Sequence, residues 1–118
     1  MNHQLSVVIP NYNGKNLLER FLPFTIKALI HSKQTYELIV VDDCSWDDSV
    51  PFLKNTYPDI KVFHNEKNLG FSKSCNIGLK KSTGNLVFFL NTDIKLQLNA
   101  VLNNFFFFKN IRLEAIVK

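Results

Sequence analysis

The sequence predicts an α/β domain: an open, mostly parallel sheet with helices on both faces. Three observations carry that prediction. Short apolar runs of strand length alternate with segments of helical period along the chain. The runs 37–41 (ELIVV) and 86–90 (LVFFL) are apolar on both faces, as strands covered from each side must be. Polar side chains collect where the strands end, which is where open parallel sheets bind ligands.

The elements follow in order. Residues 5–9 (LSVVI) form a β-branched, apolar strand that Pro10 stops. From Asn16 a helical period takes over, with Leu18, Leu22, Ile26 and Ile30 at i+4 steps and Phe21 and Leu29 beside them. Pro23 lies inside this helix and is expected to kink or split it. Residues 37–41 form the second strand, and residues 47–55 a short helix capped by Ser45 or Asp47. Residues 60–63 form a third strand. Phe71, Cys75 and Leu79 mark the core-facing stripe of another helix, which Gly84 closes off. Residues 85–90 form the fourth strand. Leu98, Val101, Leu102 and Phe105 mark a last helix, and residues 114–117 begin a fifth strand.

The chain has 118 residues, 46% hydrophobic and 20% charged, which suits one soluble domain with one core. No apolar run approaches the roughly 18 residues of a membrane span, and the N-terminus lacks a secretory pattern. Cys44 and Cys75 sit in unrelated contexts, neither a disulfide framework nor a zinc pattern. A reducing, cytoplasmic compartment is expected. The net charge of +4 suits an anionic ligand, or association with the inner face of an anionic membrane, and is too diffuse to argue for nucleic acid.

The polar clusters are specific. Strand one ends in Pro10-Asn11-Tyr12-Asn13 and strand two in Asp42-Asp43. Strand three runs into His64-Asn65-Glu66-Lys67-Asn68-Leu69-Gly70, and strand four ends in Asn91-Thr92-Asp93. The four glycines, at 14, 70, 78 and 84, form neither G-x-G-x-x-G nor a P-loop, so no glycine-rich loop cradles phosphate. If the ligand is a nucleotide, a divalent cation held by a strand-end carboxylate, Asp93, would neutralise its diphosphate.

The set VVIPNYNG, ELIVVDDCSWDD, NLGFSKSCNIGLKKSTGN and LVFFLNTD resembles the family 2 glycosyltransferases of GT-A fold, in their order and at their usual intervals. The resemblance implies that Pro10, Tyr12 and Asn13 belong to the nucleotide site, with Tyr12 packing on the base. Asp43 would accept a hydrogen bond from the base, and Asp42 would shape the site beside it. The segment from Asn68 through Gly70 and Lys73 to Asn76 would face the donor's sugar and diphosphate, with Lys73 as a phosphate contact. Asn91-Thr92-Asp93 corresponds to the metal-binding D-x-D signature, with Asp93 the main ligand of Mn²⁺ or Mg²⁺ and Asn91 secondary. Asn91 in place of the first carboxylate resembles the rhamnosyl- and galactofuranosyl-transferase-like branch, and it removes one negative charge near the diphosphate.

The implied reaction is an inverting displacement. A nucleotide-sugar donor (UDP-, dTDP- or GDP-linked) would give its sugar to a glycan or lipid-linked acceptor, with a general base deprotonating the acceptor hydroxyl. In this family the base and the acceptor site lie downstream of D-x-D. This chain ends about twenty-five residues after Asp93. The expectation is therefore a donor-binding part that binds nucleotide sugar and transfers it poorly alone.

Blander explanations compete residue by residue. Asp42-Asp43 taken alone is equally a capping acidic pair, and Asp47-Asp48 reads as helix N-terminal charge. The acidic cluster lacks EF-hand spacing, and His3, His31 and His64 form no metal-ligand pair. The run Phe105–Phe108 is either a wide core stripe or an apolar patch that promotes self-association. The rival function is a catalytically incomplete interaction module derived from the same fold. A receiver domain is disfavoured because its acidic pair would follow the first strand.

Overall fold

The computed structural model describes residues 3–103. Seven elements alternate: β1 (Leu5–Asn11), α1 (Lys15–His31), β2 (Tyr36–Asp42), α2 (Ser49–Thr56), β3 (Lys61–His64), α3 (Phe71–Lys81) and β4 (Leu86–Phe89). The sheet has the order β3-β2-β1-β4 with every pairing parallel, as the apolar runs predict. The order reverses between β1 and β4, which makes their C-terminal ends a topological switch point.

Register sorts the core into two layers. Val7 sits opposite Leu38, and Val8 opposite Ile39. Successive side chains on a strand point to opposite faces. Leu5, Val7, Ile9, Leu38, Val40 and Leu86 therefore share one face, packed with Leu18, Leu22, Ala28 and Leu29 of α1 and Leu53 of α2. Val8, Ile39, Val41 and Val87 share the other, covered by Ile77 and Leu79 of α3. Both helices that follow β1 and β2 lie on the first face, and among the described residues α3 alone covers the second. α3 lies close because Gly78 meets the sheet: a Cβ there would stand 2.2 Å from Val8 Cγ1.

Several elements differ from expectation. α1 runs unbroken through Pro23. Pro23 and Glu19 both lie on the exposed side, so the Glu19 carbonyl that loses its partner can turn to water. The i+4 row of α1 is not the buried stripe, since Ile30 is 62% exposed and the helix buries Thr25, Ala28 and Leu29 after Leu22. Each i+4 step overshoots a full turn by roughly 40°, so the row winds out to solvent and i+3 steps bring the stripe back. α2 begins at Ser49 with Asp48, not Ser45 or Asp47, at the N-cap position and no side-chain cap bond, while Asp47, one residue earlier, accepts the Ser49 backbone N–H at 3.0 Å. α3 turns Ser74 and Gly78 to the sheet, leaving Cys75 and Leu79 half-buried and Phe71 exposed. Small residues facing the strands let the helix approach. Burial pushes the Cys75 thiol up from its ordinary pKa. Residues 100–103 are helical, while Leu98 is exposed. Phe105–Phe108 and the expected strand 114–117 lie outside the described residues.

A buried acid locks the N-terminal edge of the sheet. Glu37 accepts bonds from Lys61 Nζ and Ser6 Oγ, each at 2.6 Å, and from the backbone N–H and hydroxyl of Thr83. Burial alone would raise its pKa, but the bonds from Lys61, Ser6 and Thr83 outweigh it and bring the carboxyl from 4.5 to about 2. This clamp joins the starts of all four strands, at the edge opposite the polar rim.

Candidate functional site

The rim is built on two adjacent acids that the strand pleat sends different ways. Asp42 ends β2 fully buried. Its Oδ1 accepts Asn11 Nδ2 at 2.9 Å, and its Oδ2 accepts the Ser45 backbone N–H at 2.9 Å and lies 3.0 Å from His64 Nδ1. Asp42 thus ties the ends of β1, β2 and β3 together and does not line the cleft beside it. Its link to the cleft is indirect, through Asn11. The bond to Asp42 also fixes the Asn11 amide, whose Oδ1 is buried without a hydrogen-bond partner. That oxygen packs against the bare α-carbon of Gly14, where a Cβ would stand 2.4 Å from it.

Asp43 turns toward the loop after β3. It is 5% exposed. Oδ1 accepts the Leu69 backbone N–H at 2.7 Å and Asn65 Nδ2 at 3.0 Å, and Oδ2 accepts the Gly70 backbone N–H at 2.9 Å. Burial pushes the pKa up, yet the bonds from Leu69, Asn65, Gly70 and Ser74 prevail and hold the carboxyl below the usual aspartate range. Asp43 is therefore an anion at neutral pH. Gly70 has φ +94°, a conformation that only glycine adopts without strain, and it delivers the chain into α3. Asn65 Nδ2 also reaches Ser74 Oγ at 3.1 Å, which ties that turn to the helix.

These groups enclose a cleft of about 250 Å³, with Pro10, Tyr12, Asp43, Asn68, Gly70 and Phe71 on its walls. Tyr12 is 53% exposed there. Asn13 is elsewhere: at φ +52° its Oδ1 accepts the Trp46 backbone N–H at 2.9 Å, and its own backbone N–H donates to Ser45 Oγ at 2.8 Å. It stitches the β1 loop to the loop before α2. Lys73 and Asn76 lie on the exposed side of α3 and do not line the cleft.

The end of β4 is a second centre of polarity. Asn91 and Asp93 are exposed, and Thr92 is half-buried. Thr92 Cγ2 lies 3.5 Å from where a Gly14 Cβ would be, so this end meets the turn after β1. Among the described residues no group of three or more His, Cys, Asp or Glu could hold a metal ion. One carboxylate, one amide and one hydroxyl are hard oxygen donors, too few for a free-standing site. They fit a Mg²⁺- or Mn²⁺-type ion whose remaining ligands are water and phosphate oxygens.

Sequence reasoning gave Asn65 and Ser74 no specific role and read Ser45 as a helix cap, whereas their work is to hold Asp43 and Asp42 in place. It also passed over Phe71, which it placed on a core stripe. An apolar residue straight after a glycine at a polar rim, Gly70-Phe71, was the available signal.

The family model for glycosyl transferase family 2 matches residues 6–105, most of the chain. The chain belongs to that family. A Haemophilus influenzae protein described as an uncharacterized glycosyltransferase is 32% identical over 110 residues, covering 85% of this chain and 43% of the relative. The chain thus spans less than half the length of that relative. The structure of S. aureus TarS 1–349 in complex with UDP matches with TM-score 0.71 at 26% identity, over 91% of this chain and 32% of that one. The mannosyltransferase PcManGT from Pyrobaculum calidifontis, in complex with GDP-Man and Mn²⁺, shares the fold with TM-score 0.74 at 23% identity, over 87% of this chain and 31% of its own. As a family 2 glycosyltransferase chain, this one has the expected α/β sheet of GT-A neighbours. No helix among the described residues is long and apolar enough to cross a membrane.

Proposed function

We propose that the chain is the donor-binding part of an inverting glycosyltransferase and takes a nucleoside-diphosphate sugar. One observation carries this: an anionic carboxylate, Asp43, stands at the wall of a cleft that also presents an aromatic face, Tyr12. Asp43 Oδ2 carries a single backbone bond, from Gly70, and would accept a donor from the cleft in competition with the Ser74 hydroxyl. Uracil, thymine and guanine carry a ring N–H that suits it. Cytosine and adenine present a lone pair there and are repelled. Tyr12 packs on the base, and Asn68 stands at the mouth of the cleft.

From the base site the diphosphate runs toward the switch point between β1 and β4. Asn91 and Asp93 would hold a divalent ion there, and PcManGT with its Mn²⁺ supports the assignment. The ion, when bound, supplies positive charge to the leaving diphosphate. Lys73, in the first turn of α3, adds a cation on the donor's side. Asn91 in the first D-x-D position supports a rhamnosyltransferase-like donor site. The acceptor is a glycan or a lipid-linked glycan on the family resemblance, and its general base comes from sequence beyond the strand ends described above.

The test is calorimetric titration of the chain with UDP, dTDP, GDP and CDP, each with and without Mn²⁺. Binding of one N–H-bearing nucleotide, strengthened by Mn²⁺, and indifference to CDP is expected. A folded chain that binds none of the four overturns the proposal and favours the interaction-module alternative.

A further inference from the structure

We propose that Phe71 is the second wall of the base site, so that the nucleobase lies between two aromatic rings, Tyr12 and Phe71. This inference rests on the donor-site assignment and adds a specific residue to it. Both rings line the same cleft, Tyr12 from the end of β1 and Phe71 from the first position of α3. Phe71 is 61% exposed and Tyr12 53%, which is costly for large rings with no partner. No ring contact joins them among the described residues, so they flank an opening and do not close it. The core makes no use of Phe71, because α3 buries Ser74 and Gly78 against the sheet.

The placement of Phe71 is built, not incidental. Gly70, at φ +94°, turns the chain into α3, and Asp43 fixes the backbone N–H groups of Leu69 and Gly70 immediately before it. The carboxylate that reads the edge of the base therefore also positions a ring for its face. Stacking on a π-face is tolerant of base identity, whereas the hydrogen bond to Asp43 is not. Phe71 accordingly sets affinity, and Asp43 sets choice.

The experiment is titration of the chain with UDP, read by calorimetry and by the proton resonances of uracil H5 and H6 at saturation. The proteins are wild type, Phe71→Ala, Phe71→Leu, Phe71→Tyr and Tyr12→Leu. A ring above and below the base moves H5 and H6 upfield, and this shift at saturation is independent of affinity. Phe71→Ala is expected to weaken UDP roughly tenfold, Phe71→Tyr to bind as wild type, and Phe71→Leu and Tyr12→Leu each to remove part of the upfield shift. Wild-type binding with no change of affinity or shift in Phe71→Leu and Phe71→Ala overturns the role of Phe71 alone. A wild-type chain that binds no nucleotide overturns the donor site and Phe71 together.

Discussion

Asp43 Oδ2 accepts the backbone N–H of Gly70 at 2.9 Å, across the gap between the end of β2 and the start of α3. The same carboxylate takes the Leu69 N–H on its other oxygen at 2.7 Å. The loop that walls the cleft is therefore held by the group proposed to read the base. Asp43→Asn replaces one acceptor oxygen by an NH₂ group that faces a backbone donor. The substitution is expected to lower stability by about 1–3 kcal/mol and to reduce nucleotide affinity by more than tenfold. Urea unfolding and calorimetric titration check the two effects separately.

Asp93 is proposed to carry the metal dependence, and its side chain, exposed at the end of β4, holds nothing of the fold. Asp93→Ala is expected to abolish the gain in nucleotide affinity on adding Mn²⁺. Stability should stay within about 0.5 kcal/mol of wild type. Titration with and without Mn²⁺, beside a denaturation curve, gives both readings. A metal effect that survives in the variant removes Asp93 from the ligand set.

Glu37 makes the fold acid-sensitive. Its pKa is about 2 in the folded chain against an ordinary 4.5. A depressed folded pKa means that the stabilisation is fully present above 4.5 and is lost as pH falls from there through about 2. The loss is on the order of 3 kcal/mol for a shift of this size. Urea unfolding at steps from pH 6 to pH 2 should show that limb, and Glu37→Gln should be less stable at pH 6 with a flatter limb below it.

Gly78 sets the distance between α3 and the sheet. A Cβ at this position would stand 2.2 Å from Val8 Cγ1 and 3.2 Å from Val41 Cγ2, both side chains being fully buried. Gly78→Ala gains helix propensity but overpacks a closed layer, and about 1–3 kcal/mol of destabilisation is expected. A melting temperature equal to or above that of wild type would show that α3 can lift off the sheet freely.

Strand existence was the most legible level. A parallel strand buried on both faces must be largely apolar, and residues 5–9 and 38–41 announce that composition directly, whereas the outer strands at 60–63 and 85–90 are less buried and β3 carries the exposed Lys61. The rim was legible for the same reason, since an apolar run can end in Asp42-Asp43 or Asn91-Thr92-Asp93 only where it leaves the core. Helix faces were less legible. The i+4 row from Leu18 to Ile30 looked continuous in sequence but precessed away from the sheet, leaving Ile30 in solvent.

The sequence by itself determined the alternation of elements, the location of the polar rim and the family. Only the tertiary structure decided what neighbouring residues of like chemistry do. Asp42 and Asp43 are identical in composition and adjacent in sequence, yet one is a buried tie between strand ends and the other a wall of the cleft. Asn11 and Asn13 part in the same way, as do Phe71 and the core-facing residues of α3. The physical reason is that burial needs only composition and spacing, which are local. The direction a polar group faces depends on pleat, register and the donors that other strands bring to it, and those are fixed only once the sheet has assembled.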